Sequence, residues 1–477
     1  MRIIGNRGNT ARKVQAVASG VLATGDTVIV NANGTVSSIF TNLTIFNNAS
    51  TYVTAIATNG SGTFLLLYRD SGDSNKGKAV AGTISGSTVT LGTAVEITSE
   101  MANSRDSTAV VYDPDSSKFV IAYSDSNNSS YLTSRVITVT GTTVSLGTAV
   151  VVDSQNVTTA DMAYDTSANK VVFGWRGGTN TLVAGAVGTV SGTSISFGSI
   201  TTVASKRPNY MNVVYDSNAN KTAFFYRDDA DTSDGYYVVC TVSGTSISGG
   251  STATFNAADT SNIDAAYDST AQKIVIGFKD HGFSPAVGRA IVGTISNTSI
   301  SFGSEVTFSG SDAAESISVT YDSTNDKTFI FCEKDNTLQG ILGTVSGTSI
   351  SFGTPATLSS GGGKSYTSST FSVSSGKVLV AFRDQAASNV GTLLTVDSNF
   401  AGGNLTAENF IGIASNGYAT GQAATINAKG FIDDNQSSLT AGQSYYVQTN
   451  GDLGLTAGTP SVFAGTAVSA TKLIVKG

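Results

Sequence analysis

The sequence predicts an all-β protein built around a seven-bladed β-propeller with four-stranded blades. The main observation is a unit of about fifty residues that recurs seven times. The copies align on the residue that opens an apolar run, and successive alignment positions are 55, 52, 51, 52, 54 and 50 residues apart. These positions are Thr63, Lys118, Lys170, Lys221, Lys273, Lys327 and Lys377. A period this regular, with no helical pattern inside it, is typical of propeller blades.

Composition is the second observation. Apolar residues make up 40% of the chain and charged residues only 13%, so Ser, Thr, Asn and Gly must finish much of the surface. This balance favours β-structure with polar turns over charged helices. The net charge of −7 lacks the basic excess of a nucleic-acid-binding protein, so we expect no nucleic-acid partner.

Four strands can be drawn within each repeat. In the second repeat they would span residues 109–113, 118–125, 133–139 and 143–151. Turns rich in Asp, Ser and Gly join the first pair and the second pair, and these residues suit tight hairpins. Four antiparallel strands per repeat therefore predict the blade of a propeller.

The ends of the chain differ from the repeats. The last repeat lacks the Ser-Gly-Thr-Ser-Ile-Ser-Phe-Gly segment, and residues 34–46 look like a degenerate copy of it, so this strand is expected to complete the seventh blade. After residue 398 only short strands remain, at about 410–414, 443–448 and 472–475. We therefore predict an N-terminal attachment segment (1–33), a propeller (34–398) and a small C-terminal β domain (399–477) that the N-terminal segment completes.

Both ends also carry a family resemblance. Residues 14–28, VQAVASGVLATGDTV, together with 409–414, 442–447 and 465–473, resemble terminal segments of tailed-phage fibre and virion surface proteins. In those proteins such segments flank a variable central module. The resemblance implies a structural protein of the virion, assembled in the host cytoplasm and exposed on the particle surface. It also implies other virion proteins as partners and a homo-oligomer on the particle.

The basic N-terminal residues are candidates for attachment to the particle. Arg2, Arg7, Arg12 and Lys13 would suit an acidic groove of a partner. A solvated terminus is the alternative.

The loops predict which face binds a ligand. In a propeller, the hairpins between strands one and two and between three and four lie on one face, and here they are short and nearly invariant. The remaining loops lie on the opposite face and vary in length and chemistry, which is where recognition usually occurs. The candidate ligand-binding residues on this variable-loop face are Arg176, Arg207, Tyr210, Arg227, Asp228, Lys279, His281, Tyr366 and Arg383. A host surface glycan or an outer-membrane protein is the expected partner.

An aromatic–cation–aspartate pattern closes the second strand of several repeats. It reads Tyr68-Arg69-Asp70, Tyr226-Arg227-Asp228, Phe278-Lys279-Asp280 and Phe382-Arg383-Asp384. Such a crown of cations and rings could hold anionic sugars. Alternatively, the aromatics pack between blades and the charged groups pair with neighbouring blades, and the recurrence of the pattern favours this second interpretation.

No catalytic, metal or cofactor site is predicted. The acidic loop from Asp228 to Asp234 does not match the spacing of a calcium loop, and Trp175 is expected to pack between blades. Cys240 and Cys332 are expected to be small buried residues without a bridge, and His281 lacks a nucleophile pattern. We therefore expect no enzyme.

Two alternatives stay open. A glycan-cleaving enzyme of the depolymerase or sialidase type needs only two carboxylates, which leave no linear trace, although sialidase Asp boxes are not found. In a purely architectural capsid decoration, the propeller would have a structural role only.

Overall fold

The computed structural model describes most of the chain. The described residues are 2–4, 13–18, 22, 24–30, 34–38, 43–85, 88–103, 107–177, 182–230, 232–310, 314–359, 362–397, 405, 408–418, 421–448, 451–458 and 460–476. The chain divides into two compact units, a terminal unit (1–43 with 399–477) and a repeat unit (44–398).

Strands form nearly all of the regular structure. The first strands are β1 (Arg2–Ile4), β2 (Lys13–Val17), β3 (Thr27–Val30) and β4 (Val36–Ser38). The repeats follow with β5 (Leu43–Thr58), β6 (Thr63–Asp70), β7 (Lys76–Ser85), β8 (Thr88–Leu91), β9 (Val95–Thr98), β10 (Thr108–Asp113), β11 (Lys118–Asp125), β12 (Tyr131–Thr140), β13 (Thr143–Leu146), β14 (Val150–Asn156), β15 (Ala160–Asp165), β16 (Lys170–Gly177), β17 (Leu182–Ser191), β18 (Ser194–Phe197), β19 (Thr201–Ala204), β20 (Pro208–Asp216), β21 (Lys221–Asp228), β22 (Asp234–Ser243), β23 (Ser246–Gly249), β24 (Ala253–Asp268), β25 (Lys273–Asp280), β26 (Val287–Ser296), β27 (Ser299–Phe302), β28 (Val306–Ser309), β29 (Glu315–Asp322), β30 (Lys327–Lys334), β31 (Thr337–Ser346), β32 (Ser349–Phe352), β33 (Ala356–Ser359), β34 (Lys364–Ser372), β35 (Lys377–Asp384) and β36 (Val390–Asp397). The C-terminal strands are β37 (Phe410–Ala414), β38 (Ala423–Asn427), β39 (Ile432–Asp433), β40 (Ser444–Val447), β41 (Leu453–Gly454), β42 (Val462–Ser469) and β43 (Lys472–Val475). A short 3-10 helix covers Ser126–Asn128, and no described helix has the length and apolar character needed to span a membrane.

Each repeat forms an antiparallel sheet whose strands follow one another in sequence. In the third repeat, β15 pairs with β16, β16 with β17, and both β18 and β19 with β17. Residues 171–175 of β16 are buried without alternation, because neighbouring sheets cover both faces of this strand. The second strand of every repeat is therefore the core of its sheet.

The fourth strand is two short strands rather than the single strand predicted at 143–151. In the second repeat β13 and β14 both pair with β12, and Gly147 lies in the break between them. A Cβ atom at Gly147 would lie 2.1 Å from the carbonyl oxygen of Thr193, which belongs to the next repeat. The strand breaks where the next hairpin presses against it, so a glycine is required there.

The invariant hairpins are stabilised by an aspartate that ends the first strand of the repeat. The carboxylate of Asp165 accepts hydrogen bonds from the backbone N–H groups of Ser167 and Ala168 at 2.9 Å. The same pair of bonds is made by Asp113, Asp216, Asp268 and Asp322. This local bonding explains the recurring Asp-Ser and Asp-Thr turns.

Two long strands each belong to two repeats. The first half of β24 pairs with β22 of the fourth repeat and its second half with β25 of the fifth. Strand β5 likewise pairs with β36 of the last repeat and with β6 of the first. Residues 36–38, part of the expected degenerate copy, instead pair with β3 in the terminal unit.

The first strands of the repeats surround one polar cavity of about 290 Å³. It is lined by β5, β10, β15, β20, β24, β29 and β34. The Asp161 carboxylate accepts the N–H of Val213 at 2.7 Å, and Asp264 does the same for Val319. Side chains in the cavity therefore link consecutive repeats.

The described residues of the terminal unit form two sheets. One has the order β1-β2-β38-β37-β3-β4 and combines strands from both ends of the chain. The other has the order β39-β43-β42-β40-β41. Ile29, Phe410, Val447 and Leu473 are among the buried residues of its core.

Candidate binding site

The variable loops of the repeat unit begin where the second strand of each repeat ends. Opposite these ends, the first strand of several repeats carries a β-bulge with a non-glycine residue at positive φ. These bulge residues are Val53, Tyr210, Asn262, Ser316 and Tyr366. Bulges re-aim side chains and occur often beside functional sites. Here they help to arrange rings and cations at one edge of the sheets.

Arg176 and Arg227 meet at one carboxylate, that of Asp229. Arg227 contacts Asp229 at 2.7 Å and Asp259 of the following sheet edge at 3.8 Å, and Arg176 contacts Asp229 at 3.4 Å. The Arg227 guanidinium also lies 5.0 Å from the centre of the Tyr210 ring. These two arginines are therefore paired by carboxylates.

Asp228 is a buried structural carboxylate. It accepts the backbone N–H groups of Arg207 at 2.9 Å and Ala230 at 3.1 Å, and it pairs with Lys206 at 3.0 Å. Burial alone would raise the pKa of Asp228, but these bonds outweigh burial and lower it.

The side chain of Arg207 is exposed. Burial lowers the pKa of Arg176, and the positive charge of Arg207 lowers it further. Asp231, also in this acidic loop, lies outside the described residues.

Lys279 and His281 lie apart from this group. Lys279 is buried and forms an ion pair with Glu315 of the next repeat. His281 is exposed in the turn after β25, and its Nε2 lies 2.9 Å from the Ser261 hydroxyl.

Tyr366 and Arg383 belong to a second group, here called the junction cluster, with Tyr52 and Arg69. The Arg383 guanidinium lies 4.5 Å from the centre of the Tyr52 ring and 4.9 Å from that of Tyr366, and Arg69 lies 5.6 Å from Tyr52. The two rings meet edge to face at 5.4 Å. All four side chains are half-buried, so the first and last repeats share a cation–aromatic site.

Burial lowers the pKa of the Arg69 guanidinium in this cluster, and Tyr366, Tyr52 and Glu100 oppose that effect. Arg69 Nε donates to the carbonyl oxygen of Met101 at 2.8 Å, which ties the cluster to the second repeat.

Arg69 and Tyr52 were not among the predicted site residues. The signal for Arg69 was present, because Tyr68-Arg69-Asp70 is a full copy of the aromatic–cation–aspartate pattern. Tyr52 has no comparable signal, since it becomes a neighbour of Tyr366 only when β5 joins the last repeat.

Few of the proposed attachment residues can be placed. Lys13 lies in β2, with its Nζ atom 4.8 Å from the centre of the Phe431 ring. Arg2 belongs to β1, but its side chain is outside the description, and Arg7 and Arg12 lie outside the described residues.

Trp175 and the cysteines have the structural roles predicted for them. Trp175 is fully buried and donates from Nε1 to Asp153 of the preceding repeat at 2.8 Å. Cys240 and Cys332 are free and buried, and burial raises the pKa of each thiol to about 12.

No protein-family model and no curated protein sequence matches the chain. Among solved structures, it is similar to the lectin BP39L from Burkholderia pseudomallei, with TM-score 0.56 and 10% identity over 74% of this chain and 97% of that one. The β-propeller domain of Cps50 (Swd1) from Myceliophteria thermophila gives TM-score 0.48 and 6% identity over 74% and 99%. A mutant of NanB sialidase from Streptococcus pneumoniae gives TM-score 0.44 and 11% identity over 75% and 70%.

The likeness to the lectin, whose TM-score is above 0.5, concerns the fold alone. It agrees with the antiparallel sheets arranged around one cavity, and both support the predicted class, an all-β protein of the β-propeller type.

Proposed function

We propose that the chain is a non-catalytic structural protein of a tailed-phage virion whose propeller binds a glycan or envelope protein on the host surface. The observation that carries the binding role is the junction cluster, where half-buried tyrosine rings lie beneath guanidinium groups. Flat rings and forked donors are the groups with which proteins hold sugars and their anionic substituents. The similarity of the fold to a lectin supports the same role.

We further propose that the repeats form seven blades closed into a ring. The Thr54 hydroxyl of the first repeat lies 3.0 Å from the Ser368 hydroxyl of the last, and β5 pairs with β36. Contacts between the first and last repeats are therefore of the same kind as those between consecutive repeats. The terminal unit would then serve as the attachment domain, with Lys13 and the basic N-terminal residues facing another virion protein.

The binding role can be tested with the full-length chain. Fluorescently labelled protein should bind cells of the host strain, and enzymatic removal of the surface polysaccharide should reduce that binding. An antibody against the chain should label the virion by immunogold electron microscopy. If the particles are labelled but the protein does not bind cells, the remaining role is that of an architectural decoration. Unlabelled particles would contradict the virion role.

A second candidate is a glycan-cleaving enzyme, favoured by the carboxylates of the cavity. The Asn212 amide donates to both Asp161, at 3.3 Å, and Asp264, at 2.6 Å. Two carboxylates held on one donor could serve glycoside hydrolysis. Release of reducing ends from host polysaccharide that disappears in Asp264→Asn would support it and would contradict the non-catalytic proposal.

A further inference from the structure

The guanidinium of Arg383 has hydrogen-bonding capacity that the described residues do not use. Its Nε donates to the Ser365 hydroxyl at 2.9 Å, and its two terminal nitrogens have no acceptor among the described residues. Arg69 donates from Nε to Met101 and from Nη1 to Ser71 at 2.7 Å, and its Nη2 likewise lacks a described acceptor. The junction cluster thus holds up to three open donor nitrogens next to two rings.

The cations at the matching position of the third, fourth and fifth repeats have carboxylate partners. Arg176 and Arg227 pair with Asp229, and Lys279 pairs with Glu315. Among the described residues, neither Arg69 nor Arg383 forms an ion pair. The two arginines at the junction therefore differ from their counterparts in the repeats between them.

The carboxylates next to the cluster form no ion pair with its two arginines among the described residues. Asp70 pairs with Lys78 at 2.8 Å, and Asp384 pairs with the fully buried Lys364 at 2.6 Å. Glu100 is exposed and forms no ion pair within the described part of the chain. Two positive charges remain, half-buried, where a lowered dielectric strengthens their attraction for an anion.

We propose that the junction cluster binds the carboxylate of an acidic sugar in a host polysaccharide, with Arg383 as the bidentate ligand and Arg69 as the second cation. Two parallel N–H donors match the geometry of a carboxylate, and the Tyr52 and Tyr366 rings offer apolar surface to the sugar ring. This inference rests on the proposed function and names its ligand class and its residues.

The test compares acidic oligosaccharides with their neutral counterparts. Oligogalacturonate, hyaluronan oligosaccharides and sialyllactose are applied to the full-length protein, each beside its carboxyl-reduced form. We expect at least one acidic sugar to bind at least about tenfold more tightly than its reduced form, because each charge-assisted bond is worth about a factor of ten or more. Arg383→Gln should raise the Kd for that acidic sugar by a similar factor. Arg383→Lys should restore only part of the lost affinity, since an ammonium cannot bind a carboxylate bidentately.

Arg289→Gln is the matched control. Arg289 also lies over a ring, 5.1 Å from the centre of Phe283, but it pairs with Asp280 at 3.3 Å and with Glu305. Its replacement should leave the Kd unchanged, and thermal unfolding should show every variant folded. The inference is overturned if folded Arg383→Gln keeps full affinity, or if reduced and acidic sugars bind equally well. Either result would leave the proposed glycan binding intact. Absence of binding to any glycan or to host cells contradicts the proposed function itself.

Discussion

Cys240 and Cys332 illustrate how burial sets the chemistry of a single residue. Both side chains are fully buried in sheets of the fourth and sixth repeats. Burial raises the pKa of each thiol to about 12, so neither is a nucleophile at neutral pH. The folded state holds these protons more tightly than the unfolded state. Their contribution to stability is therefore complete below the unfolded thiol pKa and is lost as the pH rises through the folded pKa.

This predicts a thiol-dependent loss of stability in alkali. Between pH 9 and pH 11 the free energy of unfolding should fall, by up to about 1.4 kcal/mol per pH unit for each thiol. In the Cys240→Ala, Cys332→Ala double variant the fall should be less steep, as measured by urea denaturation at each pH. Buried Tyr68, whose pKa burial raises to about 12, should keep part of the slope in the variant. Equal slopes in both proteins would contradict the assignment.

The role of an arginine is also decided by its partner rather than by its motif. The sequence placed Arg69, Arg227 and Arg383 in the same pattern, and the pattern was found where expected. For Arg227 the partner is local, because Asp229 follows two residues later, whereas Ser71 and Gln385 hold the matching positions after Arg69 and Arg383. For Lys279 the partner is Glu315 of the next repeat, which no pattern within its own repeat reveals.

At the level of elements, the Ser-Phe-Gly segment shows how one repeat shapes the next. A Cβ atom at Gly198 would lie 1.9 Å from the carbonyl oxygen of Thr245, in the hairpin of the following repeat. Gly353 occupies the same place in the sixth repeat, but its nearest neighbour would be the Leu342 oxygen at 3.8 Å. The seventh repeat lacks the Ser-Gly-Thr-Ser-Ile-Ser-Phe-Gly segment, and none of its described residues approaches Gly353.

Gly198→Ala should therefore destabilise the repeat unit and Gly353→Ala should not. The methyl group at position 198 forces the facing backbone to move, which costs about 1–3 kcal/mol. At position 353 the methyl group has room and the backbone φ is ordinary, so we expect a change within about 0.5 kcal/mol. Guanidinium denaturation of the two variants measures the difference. Equal effects would mean that the close approach of Thr245 does not determine the glycine.

The split fourth strand and the bulges are the elements that sequence patterns did not predict. Apolar residues lie on both sides of Gly147, at Val144, Leu146, Val150 and Val151, so the segment was predicted as one strand. A bulge at Tyr366 likewise leaves no mark, because one inserted residue is lost among the small polar residues around it.

For the whole molecule, the decisive element is β5, which belongs to the first and the last repeat. Phe46 in its first half is 8% exposed and packs against Tyr68 at 5.1 Å, edge to face, over Gly391 of β36. If the ring is closed by this strand, weakening it destabilises every repeat together rather than one end of an array.

Phe46→Ala should lower the free energy of unfolding by about 3 kcal/mol, the usual cost of truncating a buried phenylalanine. Loss of the repeat unit should still occur in one cooperative transition. Ile45→Ala is the control on the same strand, since Ile45 is 53% exposed and its truncation should cost less than about 1 kcal/mol. Early, separate melting of the last repeat in Phe46→Ala would indicate an open array.

Patterns in the sequence were sufficient to predict the β-propeller class, the positions of the second strands and the invariant Asp turns. Those features depend on the spacing of the repeats, on the run of apolar residues that Lys170 opens, and on short-range hydrogen bonds such as those of Asp165. All of these signals are local in the sequence. Tertiary structure alone decided that Tyr52 and Tyr366, from opposite ends of the repeats, share Arg383. It also decided which arginines keep open donors. Neighbours between sheets arise from the pairing of β5 with β36 and from carboxylates of other repeats, and no single repeat encodes either of them.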